Sequence, residues 1–68
     1  MPEHLTNRLR EERARRSLTQ AELAELVGVS RKTINTVENG VFIPSTVLAL
    51  RLARALRTSV EKLFELPD

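Results

Sequence analysis

Thr19–Gly40, TQAELAELVGVSRKTINTVENG, is the stretch from which the fold is read. Thr19 and Glu22 stand three apart, the spacing of a capping box, in which each side chain satisfies a backbone N–H of the other. Ala21, Leu23, Ala24 and Val27 then recur at helical spacing. Gly28 falls where a helix ends in a left-handed residue, a conformation glycine adopts without strain. Val29 is apolar and plugs the turn, and Ser30 is a second N-cap. Ile34 and Val37 supply the buried stripe of the next helix, and Gly40 stops it. Two short helices joined by a tight turn result. The outer face at the start of the second keeps Ser30, Arg31, Lys32, Asn35 and Thr36, none of them apolar.

The pattern T-Q-x-x-L-A-x-x-x-G-V-S-x-x-x-I-x-x-x-E-N-G resembles the helix-turn-helix of the lambda repressor and Cro class, the XRE family. Pro44-Ser45, Leu48 to Leu56 and Ser59 to Phe64 resemble the last helices of the same domain, so the likeness covers residues 5 to 64. It implies a compact five-helix, all-α DNA-binding domain spanning residues 1–68, with the motif at 19–40. The chain departs from the family pattern at three places. Glu12 stands where a large aliphatic residue is usual, and Ser17 and Arg57 stand where glycine is common.

Sixty-eight residues make one domain, and a chain of this size buries only about 60% of its unfolded surface. It has no Cys, so compact helix packing or a second copy must supply stability. A hydrophobic content of 41% argues against disorder. No apolar run reaches the roughly 20 residues of a membrane span and no signal peptide is visible, so a cytoplasmic protein without membrane contact is expected. The formal charge is only +2, but arginines cluster: Arg8, Arg10, Arg13, Arg15 and Arg16 early, then Arg51, Arg54 and Arg57. Glu22, Glu25, Glu61, Glu65 and Asp68 lie elsewhere. A basic side opposed to an acidic one suits a polyanion.

In chain order, Met1 to Leu5 reads as a frayed start, with the only histidine, His4, inside it. A first helix is expected from about Thr6 to Arg16, with Glu11 and Glu12 reaching Arg15 and Arg16 at i+4. The next helices are expected at Gln20–Val27, Arg31–Asn39 and Thr46–Leu56, and a last short one through Phe64. No strand signal is present. Leu48, Leu52, Ala53 and Leu56 form a core stripe that leaves Val47 and Leu50 outside. Val47, Leu50, Val60, Phe64 and Leu66 are therefore candidate surface for a homodimer, although Val60 and Phe64 could instead close the core.

The second helix of such a motif lies in the major groove, where each base pair shows a distinct donor and acceptor pattern. The resemblance places base readers at Ser30, Arg31, Lys32 and Thr36, with Asn35 a further candidate that could pair with adenine. It makes Gln20 and Asn39 phosphate contacts, and Arg13 with Glu38 an ion pair tying the first helix to the third. A dimer would bind a palindromic double-stranded operator with half-sites about 10 to 10.5 bp apart, as a sequence-specific regulator and a repressor. No clustered carboxylates, metal-ligand set or catalytic arrangement is present, so neither a metal, a cofactor, a small-molecule ligand nor an enzymatic activity is expected. The competing reading is a protein-interaction module, an antitoxin or adaptor subunit.

Overall fold

The computed structural model describes residues 5–67, and serine or threonine caps set the start of most of its helices. α2 (Gln20–Val27) begins at a complete capping box: Glu22 N–H donates to Thr19 Oγ1 at 3.0 Å, and Thr19 N–H donates to Glu22 Oε1 at 2.8 Å. It ends at Gly28, whose φ of 77° is left-handed. α3 (Arg31–Glu38) starts at Ser30, whose hydroxyl accepts from Thr33 N–H. α4 (Thr46–Ala55) and α5 (Val60–Leu63) are capped the same way by Ser45 and Ser59. Each such bond satisfies one of the orphan donors of a first helical turn, worth about 1 kcal/mol.

α1 (Leu9–Arg15) departs from expectation by starting three residues after Thr6. Thr6–Asn7 forms a short strand, β1, paired antiparallel with β2, Phe64–Glu65, so that Thr6 faces Glu65 and Asn7 faces Phe64. Asn7 then does two jobs. Its Oδ1 accepts from Leu9 N–H at 3.0 Å, starting the helix, and its Nδ2 donates to the Val37 carbonyl at 3.0 Å. The same pairing draws Phe64 out of the last helix. The ends of α3 and α4 differ from expectation by a single residue, within the usual fraying of helix termini. The frayed start expected at the N-terminus falls largely on residues 1–4, which lie outside the described residues with His4, as does Asp68.

The core is a single cluster. Leu9, Leu23, Ile34, Leu52 and Leu56 are fully buried, with Val37 and Leu63 at 1%. Ala21, counted in the apolar stripe of α2 from its spacing, faces solvent instead. Leu23 under one side of α3 and Ile34 and Val37 within it hold that helix against the body. Each full burial of such a side chain stabilises by roughly 1.5 to 3 kcal/mol. The outer face of α3 is therefore presented on a rigid base.

Candidate nucleic-acid interface

Arg31 and Lys32 occupy the first turn of α3 and are exposed, with no ion pair or side-chain hydrogen bond among the described residues. Asn35 and Asn39 continue the Arg31 face at intervals of four, and Thr36 stands beside them next to Lys32. α3 has no acidic residue in its first turn. Two cations there oppose the helix macrodipole, a small cost that an anionic partner offsets. Ser30 and Thr36 are more committed. The Ser30 hydroxyl caps the helix and exchanges a 3.0 Å bond with Thr33 Oγ1, while Thr36 Oγ1 donates to the Thr33 carbonyl at 2.9 Å. Thr36 thus directs its hydroxyl hydrogen to its own helix and keeps its methyl for apolar contact.

Behind this face lies a hydrogen-bonded network centred on Glu38, whose side chain is wholly buried. Arg13 Nε donates to Glu38 Oε2 at 2.6 Å and its Nη2 donates to Oε1 at 3.3 Å. Arg13 Nη1 donates to the Leu18 carbonyl, which fixes the guanidinium against the connection to α2. Arg10 Nε approaches Oε1 at 3.4 Å, and Gln20 Nε2 donates to it at 3.1 Å. Burial pushes the Glu38 carboxyl up, but the bonds from Arg13, Gln20 and Arg10 and the Arg13 charge together hold it below its ordinary value. The involvement of Arg10 and Gln20 has no sequence signal of its own: they approach Glu38 across 28 and 18 residues.

Gln20 and Asn39, the expected phosphate contacts, both belong to this network. Gln20 Nε2 also donates to Asn35 Oδ1 at 3.2 Å, so both of its amide hydrogens are engaged inside the protein. What its side chain leaves open is a carbonyl oxygen, which a phosphate cannot use. The backbone N–H groups of Gln20 and Ala21 have no acceptor among the described residues and lie beside an open cleft lined by Arg13, Thr19 and Arg31. Asn39 accepts from Arg10 Nη2 at 3.0 Å and donates to Asn35 Oδ1 at 3.4 Å.

The early arginines all find partners within the protein; the resemblance implies only the Arg13–Glu38 pair, and the partners of Arg8, Arg10, Arg15 and Arg16 differ from or go beyond those expected. Arg8 lies 3.9 Å from Glu65, Arg10 and Arg13 meet Glu38, and Arg15 approaches Glu12 at 3.8 Å. Arg16 Nε donates to the Leu56 carbonyl at 2.6 Å, tying the end of α1 to the end of α4. The i+4 pairs expected for Glu11 with Arg15 and Glu12 with Arg16 are not formed; the one contact along α1 is at i+3. The cations left without a carboxylate among the described residues include Arg31, Lys32, Arg51, Arg54 and Arg57.

The candidate dimer residues divide. Val47, Leu50 and Leu66 are 58%, 57% and 64% exposed. Val60 is half-buried against the core, and Phe64 is buried within it, so Phe64 can offer a partner little more than an edge. An open groove of about 860 Å³ runs between α4 and α5, lined by Leu50, Ala53, Val60 and Phe64 with Arg54 and Glu61 at its sides. Among the described residues no group of acids or histidines is placed to hold a metal, and no helix is long and apolar enough to cross a membrane.

A capped helix-turn-helix with an open cationic face on its second helix defines a class of DNA-binding protein, and comparison with known proteins agrees. The helix-turn-helix family model HTH_3 matches residues 9–63. An HTH-type transcriptional regulator of Methanothermobacter thermautotrophicus is 51% identical over 61 residues, covering 88% of each chain. The HTH-type transcriptional regulator YgzD of Bacillus subtilis is 38% identical over 64 residues, covering 94% of this chain and 97% of its own. Among solved structures, the restriction-modification controller protein C.AhdI from Aeromonas hydrophila superposes with a TM-score of 0.77 at 40% identity, over 81% of this chain and 83% of that one. The chain belongs to the XRE-type helix-turn-helix family of DNA-binding transcriptional regulators and has its lambda-repressor-like all-α fold.

Proposed function

We propose that this regulator is a cytoplasmic homodimer that represses transcription by placing α3 of each copy in the major groove of a palindromic operator. The observation that carries this reading is the pair Arg31 and Lys32: exposed, without a partner among the described residues, on the first turn of a helix whose underside is fully buried. A guanidinium there can bond O6 and N7 of guanine with both arms of its fork, and Lys32 can reach the same acceptors as a point charge. Ser30, Asn35 and Thr36 face the neighbouring base edges. Phosphates are met by the amide edge of Asn39 and, at Gln20, by the backbone N–H groups that open α2. Repression follows from occupying promoter DNA.

Selection of bound duplexes from a random library tests this. The wild type is expected to yield an inverted repeat with half-site centres about 10 to 10.5 bp apart. Arg31→Ala should relax one base pair in each half-site, at about 1 to 3 kcal/mol of lost discrimination. An unchanged base preference in Arg31→Ala would remove α3 from the groove.

A further inference from the structure

We propose that Asn35 is a donor-only reader that selects guanine and rejects adenine, because the network behind it occupies its carbonyl oxygen. The proposal rests on α3 lying in the major groove. The orientation of three neighbouring amides follows from the two charged ends of the network. Glu38 can only accept, so the Gln20 group 3.1 Å from it must be the NH2. The second hydrogen of that NH2 points at Asn35, 3.2 Å away, which must therefore present Oδ1. From the other end, Arg10 can only donate, so the Asn39 atom 3.0 Å from it is Oδ1. Asn39 then turns its NH2 toward Asn35, 3.4 Å away, and again Asn35 must present oxygen. Turning Asn35 over would set its NH2 against two other NH2 groups, and turning Gln20 over would set a carbonyl against the buried carboxylate.

Both lone pairs of Asn35 Oδ1 are thus engaged, while its exposed Nδ2 keeps two hydrogens with no acceptor among the described residues. Adenine offers one acceptor and one donor in the major groove, so a two-bond match needs both amide groups of an asparagine. Asn35 cannot supply the acceptor. Guanine offers two acceptors, N7 and O6, which match two hydrogens. The pairing of Asn35 with adenine, expected from residue type alone, is replaced by its opposite. Gln20 and Asn39 become positioning residues for base choice, and Glu38 sets the polarity of the relay.

The test is library selection with the wild type, Asn35→Ala, Gln20→Ala and Asn39→Ala, each checked for a wild-type melting profile. The base pair whose preference flattens in Asn35→Ala is the one Asn35 faces, and in the wild type it should be G·C. Replacing that guanine by 7-deazaguanine should weaken wild-type binding about tenfold and leave Asn35→Ala unaffected. Gln20→Ala, or Asn39→Ala should Gln20→Ala melt early, should admit A·T at that pair by releasing a lone pair. An A·T pair in the wild-type site, or no effect of 7-deazaguanine, overturns the proposal. If Asn35→Ala alters no base pair while Arg31→Ala does, this proposal falls alone; if neither does, the placement of α3 in the groove falls with it.

Discussion

Glu38 illustrates how one side chain can serve stability and recognition together. Its carboxylate is buried and receives bonds from Arg13, Arg10 and Gln20. Removing a carboxylate from such a site strands the Arg13 guanidinium, whose side chain is only 16% exposed. Breaking a buried pair on one side costs about 3 kcal/mol or more. Glu38→Ala should therefore lower unfolding free energy by about that amount in urea titrations, a large share of what a 68-residue chain has. The sign of the pH dependence follows from the depressed carboxyl. A group whose folded value lies below its unfolded one stabilises fully above the unfolded value and loses that contribution as pH falls through the folded one. Stability should thus hold from neutrality to about pH 5 and decline below it, where Glu38 becomes protonated in the unfolded chain first. Glu38→Gln should flatten that acid limb; a limb as steep as the wild type's would assign the loss to other carboxylates. The family resemblance set Arg13 opposite Glu38, but residue types alone said nothing of Arg10 or of the Gln20 amide. Hydrogen-bond partners chosen by the tertiary approach of α1, α2 and α3 leave no periodic trace.

The elements divide into those fixed by neighbours in sequence and those fixed by distant ones. α2 has the bounds its capping box and Gly28 demand, and α3 starts where Ser30 puts it, because caps and left-handed glycines act within a few residues. α1 starts later than its local sequence predicts because β1 has its partner almost sixty residues away, at β2, and because Asn7 looks like any helical asparagine until the Val37 carbonyl is beside it. The apolar pattern correctly separated Leu48, Leu52 and Leu56 from Val47 and Leu50, yet could not decide Phe64, whose burial depends on that same strand pairing. The helix ends after α1 and α4 carry a testable strain. Ser17 and Arg57 adopt φ of 57° and 56°, the left-handed conformation, at the two places where the family commonly has glycine. A side chain costs about 1 to 2 kcal/mol there. Glycine removes that cost but adds unfolded-chain entropy of about 0.5 to 1 kcal/mol. Ser17→Gly and Arg57→Gly should each stabilise by about 0.5 kcal/mol net, raising the melting temperature by about 2 to 4 °C. Both sites are exposed and their side chains make no hydrogen bond or ion pair among the described residues, so the gain should appear in both variants. A fall in melting temperature in both would mean that the left-handed backbone is not strained.

At the scale of the whole molecule, the proposed dimer has to bring the exposed apolar side chains of α4 and the tail together at the spacing that DNA imposes. The body measures 34 × 21 × 20 Å, and half-sites one helical turn apart lie about 34 Å from centre to centre. Two copies docked on consecutive major-groove faces with the 34 Å axis along the DNA would be within touching distance. The groove between α4 and α5 offers them a surface of the right character: Leu50 in its lining and Val47 on the same helix are more than half exposed, and Arg54 and Glu61 carry opposite charges at its sides. A two-fold contact repeats every interaction, so one Arg54–Glu61 pairing across the axis implies a second. Leu50→Glu places a carboxylate in the middle of that contact and, by the same symmetry, sets it near its own copy. Because Leu50 contributes nothing to the buried core, the variant should keep the wild-type melting curve at low concentration while light scattering moves from dimer to monomer mass. Salt then supplies an independent reading. The logarithm of affinity falls with the logarithm of salt by about 0.9 per phosphate contacted, so a monomer meeting half the phosphates shows about half the slope. Leu50→Glu should accordingly bind the full palindrome with roughly half the wild-type slope and with no preference over a single half-site. If Leu50→Glu keeps both the dimer mass and the full slope, the two copies meet through another face, and the exposed apolar residues of α4 serve some other contact.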